Sequence, residues 1–196
     1  MARAMPAETK DRIVGAGAEL FRRQGYTGTG MKQIVAEAQA PFGSVYHFFP
    51  GGKQQLGDEV IRMAGDFFKR LFESIADDAP DMVTGVRNFF DGAAQTLRQT
   101  DYADACPIAT VALEVASTSE PLRQATAEVF EAWIAGLAAS LRSVGVAEDK
   151  SRELSVAMLL SLEGAFVLSR AGRTTEPLEV AGRAMAQVVG NALAHC

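Results

Sequence analysis

Histidine and cysteine are scarce in this chain, and the scarcity narrows its chemistry. The 196 residues hold two histidines, His47 and His195, and two cysteines, Cys106 and Cys196. Cysteines so far apart in sequence make neither a metal-site spacing nor a disulfide framework. There is no Glu-x-x-His pair for a di-metal centre, no Gly-rich phosphate loop, and no nucleophile beside a plausible base. An enzyme is therefore not expected, nor a metal or other cofactor. The opening MARAMPAETKDR lacks the apolar segment and cleavage pattern of a signal peptide. The longest apolar run, Leu154 to Leu168, is shorter than a membrane span and is interrupted by Glu163. A cytoplasmic protein with no membrane partner is expected. Sustained alternation with β-branched residues is missing too, so no sheet is predicted.

What remains is a helical chain with uneven charge. Residues 1–56 carry seven Lys and Arg against four Asp and Glu, whereas the remainder is acidic and the whole chain has a net charge of −5. A modestly basic head on an acidic body suits a protein whose head alone meets phosphate. The spacing predicts helices over residues 7–24, from about 30, and from 41, with Pro41 opening the third. A fourth starts near Lys53, with Leu56, Val60, Met63, Phe67 and Leu71 as one apolar stripe. After the break at Pro80 come helices near 82–99, 106–117, 121–143, 149–171 and 177–194, with Gly145 and Gly172 near stops.

The first three patterns form a helix-turn-helix. Gly25 ends the first helix. Gly30 is a tolerable N-cap for the second, and Gln33 can reach back to it, but half of a capping box is missing. The third helix is very short and carries Gly43, Ser44, Tyr46 and His47, residues suited to a major groove rather than to a core. Val45, Phe48 and Phe49 read as core.

This segment resembles the DNA-binding domain of the tetracycline-repressor (TetR) family of bacterial transcriptional regulators. The resemblance rests on Arg12-Ile13, Glu19-Leu20-Phe21, Gly25-Tyr26, Thr29, Ile34-Val35, Gly43-Ser44-Val45-Tyr46-His47-Phe48-Phe49 and Lys53, about the first quarter of the chain. Residues 40–43, residues 49–53 and Cys106-Pro107 also resemble a subgroup related to lincomycin-resistance regulators. The resemblance implies phosphate contacts from Tyr46, Lys53, Thr29 and Lys32, phosphate or base-edge contacts from His47 and Ser44, and close backbone approach at Gly43. Two positions depart from the family pattern. Phe42 replaces a usual Lys or Arg and can offer only an apolar contact, as to a thymine methyl. Gln39 replaces a turn glycine, so it must accept a left-handed backbone or reshape the turn.

The implied architecture is all-α: a three-helix DNA-binding domain at 1–52, then a helical ligand-binding and dimerisation domain at 53–196. Met63, Phe67, Phe89, Phe130 and Trp133 are either plain core or, as the resemblance implies, walls of an apolar effector pocket, with Cys106, Glu114 and Glu163 as its polar or soft groups. Glu163 sits among apolar neighbours and needs a partner. It is either paired with Arg170 or a ligand contact. Gly182, Ala186 and Gly190 stand four apart, and Ser161, Gly164, Ala165 and Leu168 fall on a compatible side of the preceding helix. Small rows serve tight packing within one chain or, as the resemblance implies, a homodimeric four-helix bundle, which we expect here. The expected partners are an operator in double-stranded DNA, a small hydrophobic effector and a second copy. The rival readings are a helical-bundle enzyme and a ligand carrier that does not bind DNA.

Overall fold

Apolar residues recur every three or four positions from end to end, and the chain answers with helices. The computed structural model describes residues 6–194. Readings that rest on the first five residues, His195 or Cys196 lie outside the described residues. Within them there are nine helices and no strand: α1 (Pro6–Gln24), α2 (Met31–Glu37), α3 (Phe42–Phe48), α4 (Gly52–Asp78), α5 (Met82–Gln99), α6 (Pro107–Val115), α7 (Glu120–Ser143), α8 (Glu148–Gly172) and α9 (Glu176–Ala194).

They form two units. One comprises the described residues up to Asp66 with Pro107–Val129, and the other Phe67–Cys106 with the residues from Phe130 on. In the first, α1 packs on α2, α3 and α6. Its core includes Ile13, Phe21, Ile34, Val45, Phe49 and Leu56. An added Cβ at Gly17 would stand 2.9 Å from the Val60 side chain, so that glycine sets how closely α1 lies on α4. In the second unit, α9 packs on α5 and α8. Phe72, Phe90, Leu97, Leu141, Leu154, Met158 and Leu178 fill its core.

Several local expectations are corrected. Pro41 is the N-cap of α3 rather than its first residue, with ψ 137. Gln33 does not reach back to Gly30. It pairs instead with Gln24 across the α1–α2 turn, at 2.7 Å. Gly172 is the last residue of α8, as expected near a stop, and the left-handed residue is the C-cap Arg173, at φ 49. The apolar stripe of α4 rolls around the helix. Leu56 and Val60 are buried, but Met63, Phe67 and Leu71 are exposed, while Ile61, Ala64 and Phe72 turn inward. Finally, α8 as a whole is long and apolar enough to cross a membrane by length and composition alone. In this fold Leu154, Met158 and Ala165 of that helix belong to the core of the second unit.

Candidate DNA-binding face and sensing residues

The turn that aims α3 is built from backbone. After the C-cap Ala38, Gln39 adopts φ 48, so it takes the left-handed option. The Ala40 N–H then reaches the Val35 carbonyl at 2.9 Å and the Gln39 N–H reaches Ala36 at 3.1 Å. That pair of bonds closes a helix end in the Schellman manner, here without glycine. Arg12 of α1 adds a clamp the sequence reading missed: its Nε donates to the Ala38 carbonyl at 3.1 Å. An Arg in an Arg-Ile helix start was visible, but nothing in the sequence said what it would hold.

With α3 so fixed, its two sides differ in chemistry. Val45 is fully buried. Phe42 and Tyr46, one turn apart, are 44% and 54% exposed and meet edge to face at 5.6 Å. Gly43 and His47 are exposed and Ser44 is half-buried, and nothing stands within 4 Å of where a Gly43 Cβ would be. Lys32 of α2 is exposed. α3 thus offers aromatic and hydrogen-bonding groups and no Lys or Arg, so a bidentate arginine–guanine contact cannot come from it.

Thr29 does not fit its expected role. It is 1% exposed, and its hydroxyl donates to the Gly25 carbonyl at 2.6 Å while accepting from Gln24 at 3.2 Å. It holds the α1–α2 turn rather than facing solvent. Lys53 is half-buried, its ammonium 4.2 Å from the centre of the Tyr26 ring. Burial lowers its pKa below the ordinary lysine value, and the negative charge of Glu114 partly restores it.

Glu114 is the largest reassignment. It does not line a pocket in the second unit. It belongs to the unit of the helix-turn-helix. Its Oε2 accepts the Thr27 N–H at 2.6 Å. Met63 falls in that unit too, on the surface.

In the second unit, Phe130 and Trp133 of α7 pack edge to face at 5.8 Å, and Trp133 meets Phe68 of α4 at 6.3 Å. Phe68, not Phe67, is thus the α4 residue on the tryptophan. Phe67 is largely exposed, with its ring against Phe68 at 5.3 Å. Phe89 is half-buried against Phe72, at 5.1 Å. Cys106 is buried, and its thiol is hydrogen-bonded to the Glu163 carboxyl. The expected Arg170 partner is engaged elsewhere, donating to the carbonyls of Tyr102 and Ala103. Glu163 Oε1 is sealed from solvent and has no hydrogen-bond partner. Desolvation raises the Glu163 pKa to about 7, against a smaller downward pull from the Cys106 bond.

The small-residue row of α9 faces inward. A Cβ added at Gly182 would stand 2.7 Å from Phe90 Cβ, Ala186 is 6% exposed, and Gly190 approaches Val83. These residues let α9 lie close on α5 within one chain, and Gly182 and Ala186 are buried there. Ala165 is core as well, and Ser161 is half-buried. The exposed apolar side chains on these helices are Leu160, Val167 and Leu168 of α8 and Val180 and Val188 of α9, with Gly164 exposed beside the first three. Among the described residues no group of three or more His, Cys, Asp and Glu could hold a metal ion.

A helix-turn-helix that buries its motif core and turns a polar, aromatic helix face to solvent defines a DNA-binding regulator by class. Residues 13–60 match the family described as bacterial regulatory proteins, tetR family, and residues 82–184 match the C-terminal domain of LmrA/YxaF-like transcriptional regulators. The chain belongs to the TetR family, and within it to the LmrA/YxaF-like group. It is similar to the HTH-type transcriptional regulator YxaF of Bacillus subtilis, at 34% identity over 87% of this chain and 90% of that protein. It is 31% identical to LmrA of the same organism, over 87% of this chain and 91% of that one. In fold it is similar to a TetR regulatory protein from Rhodobacter sphaeroides (TM-score 0.81, 23% identity, 90% of this chain and 96% of that one). A regulator from Legionella pneumophila aligns with a TM-score of 0.82 at 22% identity, over 96% and 99% of the two chains. The chain is thus a DNA-binding transcriptional regulator.

Proposed function

We propose that this regulator is a cytoplasmic homodimeric repressor that leaves a roughly palindromic operator when a small hydrophobic molecule binds it. The observation that carries the reading is the α3 face, where Tyr46, His47 and Phe42 stand exposed around a buried Val45. Residues 1–52 read the DNA, with Tyr46 and Lys32 on phosphates and Phe42, Ser44 and His47 on base edges, and Lys53 at the start of α4 adds a further phosphate contact. Residues 53–196 bind the effector and the second copy. Two heads then address major grooves about 34–36 Å apart.

The second copy docks on the apolar side of α8 and α9 that carries Leu160, Gly164, Val167, Leu168 and Val180. Phe68, Phe130 and Trp133 give the effector an aromatic wall, and the unpartnered Glu163 Oε1 gives it a polar anchor. Helix α4 supplies residues to both units, so a shift of α4 on binding would alter head spacing. The effector needs only to prefer the form whose spacing does not match the operator.

A mobility shift with operator duplexes selected in vitro tests this. Wild type binds, and Tyr46→Phe weakens binding by roughly tenfold without changing sequence preference, as loss of a phosphate hydrogen bond should. A true effector quenches Trp133, the single tryptophan, over the concentration range that releases DNA. Operator must in turn lower the effector's affinity by the same factor. A wild-type protein that selects no duplex sinks the reading in favour of a carrier.

A further inference from the structure

Glu114, on α6, reaches the turn between α1 and α2 of the helix-turn-helix. Gly25 adopts φ 79, and a Cβ there would lie 1.8 Å from Glu114 Oε1. The left-handed backbone strains any side chain there, and a side chain would also displace the Glu114 carboxylate. Two residues on, the Thr27 N–H is bonded to Glu114 Oε2 at 2.6 Å. Between them Tyr26 packs its ring on Phe21 at 5.3 Å and carries the Lys53 ammonium at 4.2 Å. From the other side, Thr29 ties its hydroxyl to the Gly25 carbonyl. The Gly25–Thr29 turn, which sets where α2 starts, is therefore gripped by its own threonine and by a carboxylate from α6, 87 residues away in sequence.

We infer that Glu114 is a positioning residue for DNA binding: its carboxylate clamps the Gly25–Thr29 turn through the Thr27 amide and balances the charge of Lys53 on the Tyr26 ring. The clamp favours binding, because it orders the segment from which α2 and then α3 are hung. The charge opposes it, because a carboxylate near Lys53 offsets part of the attraction of that cation for phosphate. This rests on the DNA-binding reading above. The two effects have opposite signs and separate by substitution. Glutamine keeps an acceptor for the Thr27 N–H and removes the charge. Alanine removes both.

The experiment uses the full chain, with hydrogen exchange at the Thr27 amide and operator affinity against salt for wild type, Glu114→Gln and Glu114→Ala. In wild type and Glu114→Gln the amide is protected, and in Glu114→Ala it exchanges freely while the helical signal persists. Glu114→Ala binds operator roughly tenfold more weakly, the scale of a lost charge-assisted hydrogen bond. Glu114→Gln binds roughly threefold more tightly at low salt, and the gain fades as salt screens the pair. A residue that merely stabilised the fold would not split Gln from Ala in sign or change the salt dependence. Operator binding unchanged in both variants, or weakened equally in both, overturns the inference. If Thr27 loses protection in Glu114→Ala but wild type binds no duplex, the DNA-binding reading fails and the role of Glu114 in it fails with it, while the clamp on the turn stands.

Discussion

Two rows of residues at one-turn spacing, Phe42–Tyr46 on α3 and Gly182–Ala186–Gly190 on α9, have opposite fates. The first is exposed and the second is packed on α5. The difference lies in what each residue type can say. An aromatic ring and a hydroxyl on a short helix beside a buried Val45 have few places to go, since the core side is already filled. A row of small residues says only that something comes close. It does not say whether that neighbour is a second copy or the next helix of the same chain. Here Phe90 fills the space, with 2.7 Å left for any Cβ at Gly182.

The largest effect expected from this contrast is at Ala186. Ala186→Glu would place a carboxylate in the apolar core that Ala186 shares with Val86, Phe90 and Val189. A cost of several kcal/mol follows for an uncompensated buried charge. Circular dichroism and urea unfolding should show a destabilised or unfolded protein, not a folded monomer. A variant that keeps wild-type stability and loses only self-association would return this row to the dimer seam.

Much of the fold follows from local signals. Helices α5 to α9 lie close to the spans their periodicity and prolines indicate, because each boundary has a local cause: Asp81 caps α5 by accepting the Thr84 N–H at 2.7 Å, and Gly145 at φ 105 follows α7. The α3 face is legible for the same reason. Long-range pairings are not. Nothing near position 114 indicates Thr27, and nothing near 163 favours Cys106 over Arg170, which is on the same helix and of opposite charge. Arg170 is drawn instead to two backbone carbonyls of the loop after α5. The rotation of the α4 stripe from Phe67 to Phe68 has a similar origin. A stripe at strict spacings of three and four leaves several ways to continue, and Trp133 selects one of them.

A second test sharpens the comparison from the exposed side. Leu168 is 63% exposed on α8. Leu168→Glu costs little in the isolated protomer, because the new carboxylate stays in water. In a two-fold symmetric seam it appears once on each partner, and self-association should weaken on the order of a thousandfold, about 4 kcal/mol. Sedimentation at micromolar concentration then shows folded monomers that hold operator poorly. A dimer of unchanged affinity would move the seam off this face of α8.

The smallest of the three effects tests a residue whose partner the sequence misjudged. Glu163 as a whole residue is half-buried, but Oε1 is sealed from water, and the carboxyl end decides the titration. Its pKa stands at about 7 against an ordinary 4.5, mainly because burial penalises the charged form. The sign follows from linkage. Below the ordinary value both folded and unfolded chains hold the proton, and the group costs nothing. Between 4.5 and about 7 the unfolded chain releases it while the folded chain keeps it, so stability falls as pH rises. Above about 7 the penalty is complete, at about 3 kcal/mol. Glu163→Gln has no proton to exchange and can still accept from the Cys106 thiol. Urea unfolding from pH 5 to 8 should show wild type losing stability relative to the variant across that window, with the gap level beyond it. A gap that does not change with pH would mean that the carboxyl has found a partner or water in solution, and Glu163 would no longer be available as the anchor for an effector.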